Sequence, residues 1–306
     1  MSGAAPETRF GFVAVLGAPN VGKSTLLNRL VGTKVSIVTA KVQTTRRRIL
    51  GITVKGEAQL VFVDTPGIFV PRPGRRLEQA MVRAAWRGAE DADRRLLVVD
   101  AKRGIDRATR LILDGMRERG FRDSILALNK LDLVAPPTTL PLIRELDQTG
   151  LFERVLIISA LTGDGCDDLL QALLELLPEG PWLFPEDQLS DLSQRAMAAE
   201  ITREKLFEQL HQELPYSLTV ETENWAASPD GREIRIDQTI YVERASQKAI
   251  VLGKGGRQIK AIGQAARAEL EQMLGCRVHL FLFVKVRPKW LEDPERYSEM
   301  GLEFSG

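Results

Sequence analysis

The chain has 306 residues, enough for about two domains at roughly 150 residues each. With 44% hydrophobic and 27% charged residues it can bury full cores, which excludes disordered, collagen-like and low-complexity classes. Its 42 Lys+Arg and 41 Asp+Glu give a formal net charge of +1, a sum that argues against nucleic acid unless the charges are segregated. No apolar run approaches the ~18 residues of a membrane span. Met1–Arg9 has neither a signal-peptide core nor an Arg-rich amphipathic stretch, so neither secretion nor organelle import is indicated. Cys166 and Cys276 are too few for a disulfide scaffold, and with only His211 and His279 a Cys/His zinc cage is not expected.

From Phe10 to about Leu177 short apolar runs alternate with amphipathic segments. Phe10–Leu16, Gln59–Val63, Leu96–Asp100, Ile125–Asn129 and Val155–Ser159 read as buried strands, rich in Val, Ile and Leu. Helical periodicity falls between most of them, over Ser24–Val31, Gln79–Ala89 and Arg107–Arg119. This alternation predicts an α/β domain on a mostly parallel sheet covered on both faces. One strand is the exception: Lys55-Gly56-Glu57 reads as a hairpin turn, which makes Ile49–Lys55 antiparallel. The three prolines of Pro178–Pro185 resist helix and sheet and mark a linker. Beyond it Gln194–Leu210 and Arg257–Leu274 read as helices, and Leu218–Glu223, Glu233–Arg244 and Arg277–Val286 as alternating strands. The expected division is a first domain over 1–180, a linker over 181–190 and a smaller α+β domain over 191–306.

Gly17-Ala18-Pro19-Asn20-Val21-Gly22-Lys23-Ser24, followed by Thr25, fits the phosphate-loop pattern, with a strand before it and a helix after it. Its glycines let backbone N–H groups face a phosphate at a helix N-terminus. Lys23 is placed to reach the β- and γ-phosphates, and the Ser24 hydroxyl to ligate Mg²⁺. Asn129-Lys130-Leu131-Asp132 names the base. An Asp132 carboxylate accepts from both the N1–H and the exocyclic amine of guanine, whereas adenine lacks that amine and leaves it unpaired. The Lys130 stem can pack over the base, and Ser159-Ala160-Leu161 completes the pocket with a backbone N–H. Asp64-Thr65-Pro66-Gly67 follows an apolar strand. There Asp64 suits an outer-shell contact to Mg²⁺ and the Gly67 N–H the γ-phosphate. In Gln43-Thr44-Thr45-Arg46, Thr45 rather than Thr44 is the expected Mg²⁺ ligand, so Lys23, Thr45 and Gly67 form the expected catalytic set, and ordinary loop polarity is the plainer reading of the threonines.

These motifs in this order resemble the translation-factor-related class of GTPases and, within it, the Era family of bacterial GTPases of ribosome assembly. The resemblance runs from Phe10 to the C-terminus through APNVGKST, QTTR, DTPG, NKLD and SAL, Pro178-Glu-Gly-Pro181, Pro185-Glu-Asp-Gln188, Glu204-Lys205 and Gly253-Lys254-Gly255-Gly256. It implies a P-loop GTPase domain followed by a type II KH domain, hydrolysis of GTP to GDP with Mg²⁺, and binding to the 3′ end of small-subunit ribosomal RNA during 30S subunit biogenesis. Ile68 stands where Ras-like GTPases hold a water-orienting glutamine, so slow intrinsic hydrolysis is expected. Asn20 matches an asparagine that holds K⁺ in related enzymes, which makes K⁺ a second candidate cation; capping of the loop is the plainer role. A cytoplasmic monomer is expected, with peripheral contact to the inner membrane face as an open alternative.

Gly253-Lys254-Gly255-Gly256 has the G-x-x-G form with which KH domains clamp a nucleic-acid backbone. Splitting the charge supports it: Tyr241–Trp290 carries net +7, Glu186–Ile240 net −7 and Leu291–Gly306 net −4. Lys248, Arg257 and Lys260 join the glycine loop as expected RNA contacts. Arg46-Arg47-Arg48 reads as a solvated loop, Phe281 and Phe283 as core, both histidines as packing or surface residues, and the tryptophans as core or linker anchors. Two rival functions are a GTP-dependent signalling or membrane adaptor whose second domain binds proteins, and an ATP-driven RNA-remodelling enzyme.

Overall fold

In the computed structural model the structure describes residues 8–41, 44–211 and 214–304. Residues 1–7, most of the segment read for targeting signals, and Gln43 of the threonine-rich loop lie outside the described residues. The described residues divide into two compact units. One falls within Met1–Ser36, Thr45–Asp191 and Met300–Gly306, the other within Ile37–Thr44 and Leu192–Glu299.

The first unit runs β1 (Arg9–Leu16), α1 (Lys23–Val31), β2 (Ile49–Lys55), β3 (Ala58–Asp64), α2 (Arg76–Asp91), β4 (Arg94–Asp100), α3 (Arg107–Glu118), β5 (Ser124–Asn129), α4 (Thr139–Asp147), β6 (Phe152–Ile157) and α5 (Cys166–Glu175). The sheet order is β2-β3-β1-β4-β5-β6, parallel except for the β2–β3 hairpin. Because strand side chains alternate between faces, β3 serves two cores. Leu60 and Phe62 join the main core with Val13, Val15, Leu97 and Leu126, while Val61 and Val63 join a satellite core with Leu50, Ile52 and Phe184. β6 departs from the expected buried strand over Val155–Ser159. It starts at Phe152, ends at Ile157 and has no fully buried residue, because it pairs only with β5 at the sheet edge.

The proline-rich stretch is strapped to this sheet. The amide of fully buried Gln59 donates to Phe184 O (2.7 Å) and accepts from Leu183 N (3.1 Å) and Phe184 N (3.0 Å). The Trp182 indole donates to Glu57 O (3.2 Å), and Ile52 N–H to Leu189 O (2.9 Å). Residues 300–304 also pack here: Leu302 is buried, Glu303 pairs with Arg87, and the Arg76 guanidinium lies 5.7 Å from the Phe304 ring centroid. Among the arginines expected in a solvated loop, Arg48 is exposed but Arg46 is buried.

The second unit runs α6 (Gln194–Gln209), β7 (Leu218–Ala227), β8 (Glu233–Val242), α7 (Ala245–Leu252), α8 (Arg257–Leu274), β9 (Arg277–Val286) and α9 (Pro294–Glu299). β7 is antiparallel to β8, and β8 parallel to β9. This order of helix, two strands, two helices around the glycine loop and a parallel last strand is the type II KH arrangement. Val278, Leu280, Leu282 and Val284 of β9 pack into the cores beneath the helices. Alternation then puts Phe281 and Phe283 on the opposite face, 45% and 50% exposed, which corrects their reading as core. Arg235 covers part of Phe281, its guanidinium 4.8 Å from the ring centroid. Trp290 is buried and its indole donates to Ser217 O (3.1 Å), whereas His279 sits at the surface against Glu233 (2.9 Å). The segment Ile37–Thr44 packs within this unit. Its Val38 N–H donates to Glu204 Oε1 (2.7 Å), and the Lys41 ammonium donates to the carbonyls of Phe207 and Leu210 at the end of α6.

Candidate functional site

The phosphate loop leaves the C-terminal end of β1, where parallel strands deliver ligands. Gly22 adopts φ 100°, and an added Cβ would collide with the Asn129 amide, so only glycine fits there. Asn20 is also left-handed, at φ 63°. Ala18 and Val21 are buried, and Arg103 holds Pro19 O at 3.1 Å. Lys23 opens α1 and is buried, its ammonium donating to Gly17 O (3.2 Å) and Ala18 O (3.1 Å). Burial pulls its pKa down to about 8, against the opposing attraction of Asp64.

Next to Lys23 lies an oxygen cluster. The Ser24 hydroxyl donates to Asp64 Oδ2 (3.0 Å) and meets Thr45 Oγ1 (3.1 Å), and the buried Ser36 hydroxyl also donates to Asp64 Oδ2 (2.9 Å). Asp64 is buried and its pKa is raised, chiefly by desolvation, with Lys23, Ser36 and Ser24 pulling it down. Its Oδ1 is buried with no hydrogen-bond partner among the described residues, an acceptor left to a ligand. Thr44 instead meets Thr39 (2.7 Å). Thr65 donates to Val15 O (3.0 Å), Gly67 lies against Pro19, and Ile68 donates its N–H to Gly17 O (3.1 Å) while its side chain is fully buried. Among the described residues no three His, Cys, Asp or Glu cluster to hold a metal. One carboxylate with two hydroxyls is the sparse, hard-oxygen set that Mg²⁺ uses when phosphates and waters supply the rest.

At the base end, Asn129 ties two loops together: its Nδ2 donates to Val21 O (2.8 Å) and its Oδ1 accepts from Ala160 N (2.9 Å). Lys130, left-handed at φ 67°, reaches Asn20 O (2.7 Å) and pairs with Asp100 (2.7 Å). Ser159 donates to Asp132 Oδ1 (2.6 Å), which fixes that carboxylate, and Leu161 is exposed. Sequence reading did not single out Ser36, Asp100 or Arg103. Their signal was absent because none lies in a motif: Ser36 and Asp64 are 28 residues apart and meet only through strand order.

In the second unit, Gly253, Gly255 and Gly256 between α7 and α8 have φ of 69°, 62° and 74°. At Gly253 a Cβ would lie 2.7 Å from Gln258 Cβ, so the turn closes only with glycine there. Lys254, Arg257 and Lys260 are exposed around this loop, and Lys248 is half-buried on α7.

Residues 12–130 match the model of the 50S ribosome-binding GTPase family, and residues 213–291 that of the KH domain. Over 300 residues the chain is 57% identical to GTPase Era of Brucella suis biovar 1 (strain 1330), covering 98% of this chain and 95% of that one. It is 58% identical to GTPase Era of Rhizobium meliloti (strain 1021) over 303 residues, 99% of this chain and 95% of that one. Among solved structures, Era in complex with MgGDPNP and nucleotides 1506–1542 of 16S ribosomal RNA superposes with a TM-score of 0.90 at 41% identity, covering 96% of this chain and 99% of that one. A point variant of Aquifex aeolicus Era bound to GDP and AlF4⁻ superposes equally well at 40% identity over the same shares. With two whole-length relatives, both domain models and the same two-unit fold in agreement, the chain belongs to the Era family of GTPases.

Proposed function

We propose that this protein binds GTP, hydrolyses it slowly to GDP and phosphate, and couples that cycle to binding of small-subunit ribosomal RNA in 30S assembly. The observation that carries the reading is Asn129, which bonds both the phosphate loop and the base loop and so joins the two ends of a nucleotide pocket. In this reading residues 1–180 form the nucleotide domain, 181–190 the linker and 191–306 the KH-type RNA-binding domain, with two exchanges: Ile37–Thr44 packs with the second unit, and the described residues after Glu299 with the first.

In the site, Lys23 turns from the loop carbonyls to the β- and γ-phosphates, and the backbone N–H groups that 17–25 carry (all but Pro19) cradle the anion. Ser24, Thr45 and Asp64 hold Mg²⁺, whose charge offsets that of the phosphates in the transition state. Water attacks the γ-phosphate in line. The buried Ile68 side chain has no group to orient that water, so hydrolysis is slow and the electrostatic part is left to Lys23, Mg²⁺ and the loop backbone, with the Gly67 N–H on the γ-phosphate. Asp132 accepts from guanine N1–H and its amine. Asp132→Asn is expected to move preference from guanine toward xanthine nucleotides in fluorescent-nucleotide competition, and an unaltered preference for GTP refutes the pocket.

Single-stranded RNA is clamped at Gly253–Gly256, with Lys248, Lys254, Arg257 and Lys260 on its phosphates. Gly255→Asp and Lys254→Ala should each weaken RNA binding, and no change in either refutes this reading. Asn20 supports K⁺ as an activating cation. Equal hydrolysis rates in Na⁺ and K⁺, or a K⁺ response that survives Asn20→Ala, would exclude it. The protein acts as a cytoplasmic monomer in this reading, which light scattering and vesicle co-sedimentation test.

A further inference from the structure

Arg29 stands in the last turn of α1, the helix whose first turn carries Lys23 and Ser24. A cation there ordinarily serves the carbonyls at its own helix end. Arg29 instead donates from Nη2 to Leu161 O (2.6 Å) and from Nε to Ala160 O (3.4 Å), 132 and 131 residues away along the chain. Both acceptors belong to the loop that follows β6.

Peptide geometry makes these bonds consequential. The Ala160–Leu161 bond is trans, as no described peptide is cis, so its C=O and N–H point in opposite directions. Drawing Ala160 O toward α1 therefore turns the Leu161 N–H away from α1. The Ala160 N–H is taken by Asn129 Oδ1 (2.9 Å), whereas the Leu161 N–H donates to no acceptor among the described residues. The loop thus keeps one amide for a ligand, and Arg29 sets its direction from outside the pocket.

We infer that Arg29 is a positioning residue for base recognition, holding the 160–161 peptide so that the Leu161 N–H meets the O6 of guanine while Asp132 reads the N1–H and amine edge. This rests on the GTP reading of the pocket, and the two can fail separately. Arg29 has no counterpart in the loop motifs, because its role depends on α1 passing beside a loop distant in sequence.

The test uses the full chain and three diphosphates competing with a fluorescent GDP: GDP itself, 6-thio-GDP, in which a poor acceptor replaces O6, and IDP, which lacks the amine. For Arg29→Ala, GDP binding is expected to weaken about tenfold, the effect of one lost hydrogen bond to a ligand acceptor. The preference for GDP over 6-thio-GDP should shrink about threefold or more, while that over IDP stays as in the unaltered chain. Arg29→Lys, which keeps a donor and the helix propensity, should fall between. Thermal melting without nucleotide identifies which variants are folded, and either one suffices. The inference is overturned if a folded variant keeps the GDP to 6-thio-GDP ratio, whatever its absolute affinity, or if the unaltered chain has no such preference. Asp132→Asn is the separate control: if it leaves the GDP to IDP ratio intact, the base-pocket reading fails irrespective of Arg29.

Discussion

Lys23 carries its charge into a buried site, and pH reports the consequence. Its folded pKa of about 8 lies below the ordinary 10.5, so between these values the unfolded chain binds more protons than the folded one. Stability from this group is therefore least below pH 8 and rises as pH approaches 10.5. Phosphates reverse the shift by stabilising the ammonium, so nucleotide binding near pH 8 should take up about half a proton at Lys23. Calorimetry in two buffers of different ionisation enthalpy measures this, and equal heats would contradict it. Asp64→Asn removes the carboxylate with the unpartnered Oδ1, and should raise the Mg²⁺ needed for half-maximal hydrolysis about tenfold or more, read in a phosphate-release titration. At this scale the meeting of Lys23, Ser24 and Asp64 was legible, because a Lys, a Ser and an Asp at fixed offsets from strands are brought to one end of the sheet. Ser36 and Arg29 were not legible, since each acts through a neighbour supplied by the fold. Phe281 and Phe283 misled because alternation alone does not say which face of a strand is covered.

Strands of the nucleotide unit were readable from apolar runs because most are buried on both faces, and helices α1 to α3 from the periodicity of one buried face. The edge strand β6 was misplaced because its pattern is diluted by exposure. α7 was hidden because its only apolar run, Ala249–Leu252, is too short to show a helical period and ends at the glycine loop. Least legible was the strap. Prolines correctly announced a stretch that is neither helix nor sheet, but nothing local marked Gln59 as the residue that holds it. That side chain is fully buried with donor and acceptor both used, so Gln59→Ala strips three hydrogen bonds from the strap and leaves two of its backbone amides unpaired. A loss of about 2–3 kcal/mol is expected in urea unfolding. A change below about 0.5 kcal/mol, the level of an ordinary surface substitution, would show the strap to be held elsewhere.

For the whole molecule, the balanced charge of +1 conceals segregation, with +7 over Tyr241–Trp290. If Lys248, Lys254, Arg257 and Lys260 each neutralise one phosphate, the logarithm of RNA affinity should fall against the logarithm of salt with a slope of about −3, at about −0.7 per contact on single strands. Lys254→Ala should flatten that slope by about 0.7 without altering which RNA sequence is preferred. A filter-binding series from low to moderate salt distinguishes this from binding that is indifferent to ions.

The return of the C-terminus to the first unit imposes an order on biosynthesis. Arg87 and Glu303 are 216 residues apart, and Leu302 is buried in a unit whose first strand begins at Arg9. Domains ordinarily fold from the N-terminus as they are made, at about 5–20 residues per second. Here the unit translated first receives residues 300–304 after the whole second unit has been made, so a nascent chain that has already folded its phosphate loop still leaves the outer face of α2 unfinished until those residues emerge. Removing Leu302 and Glu303 would therefore register on α2, more than two hundred residues earlier in the chain, rather than beside the site of the change.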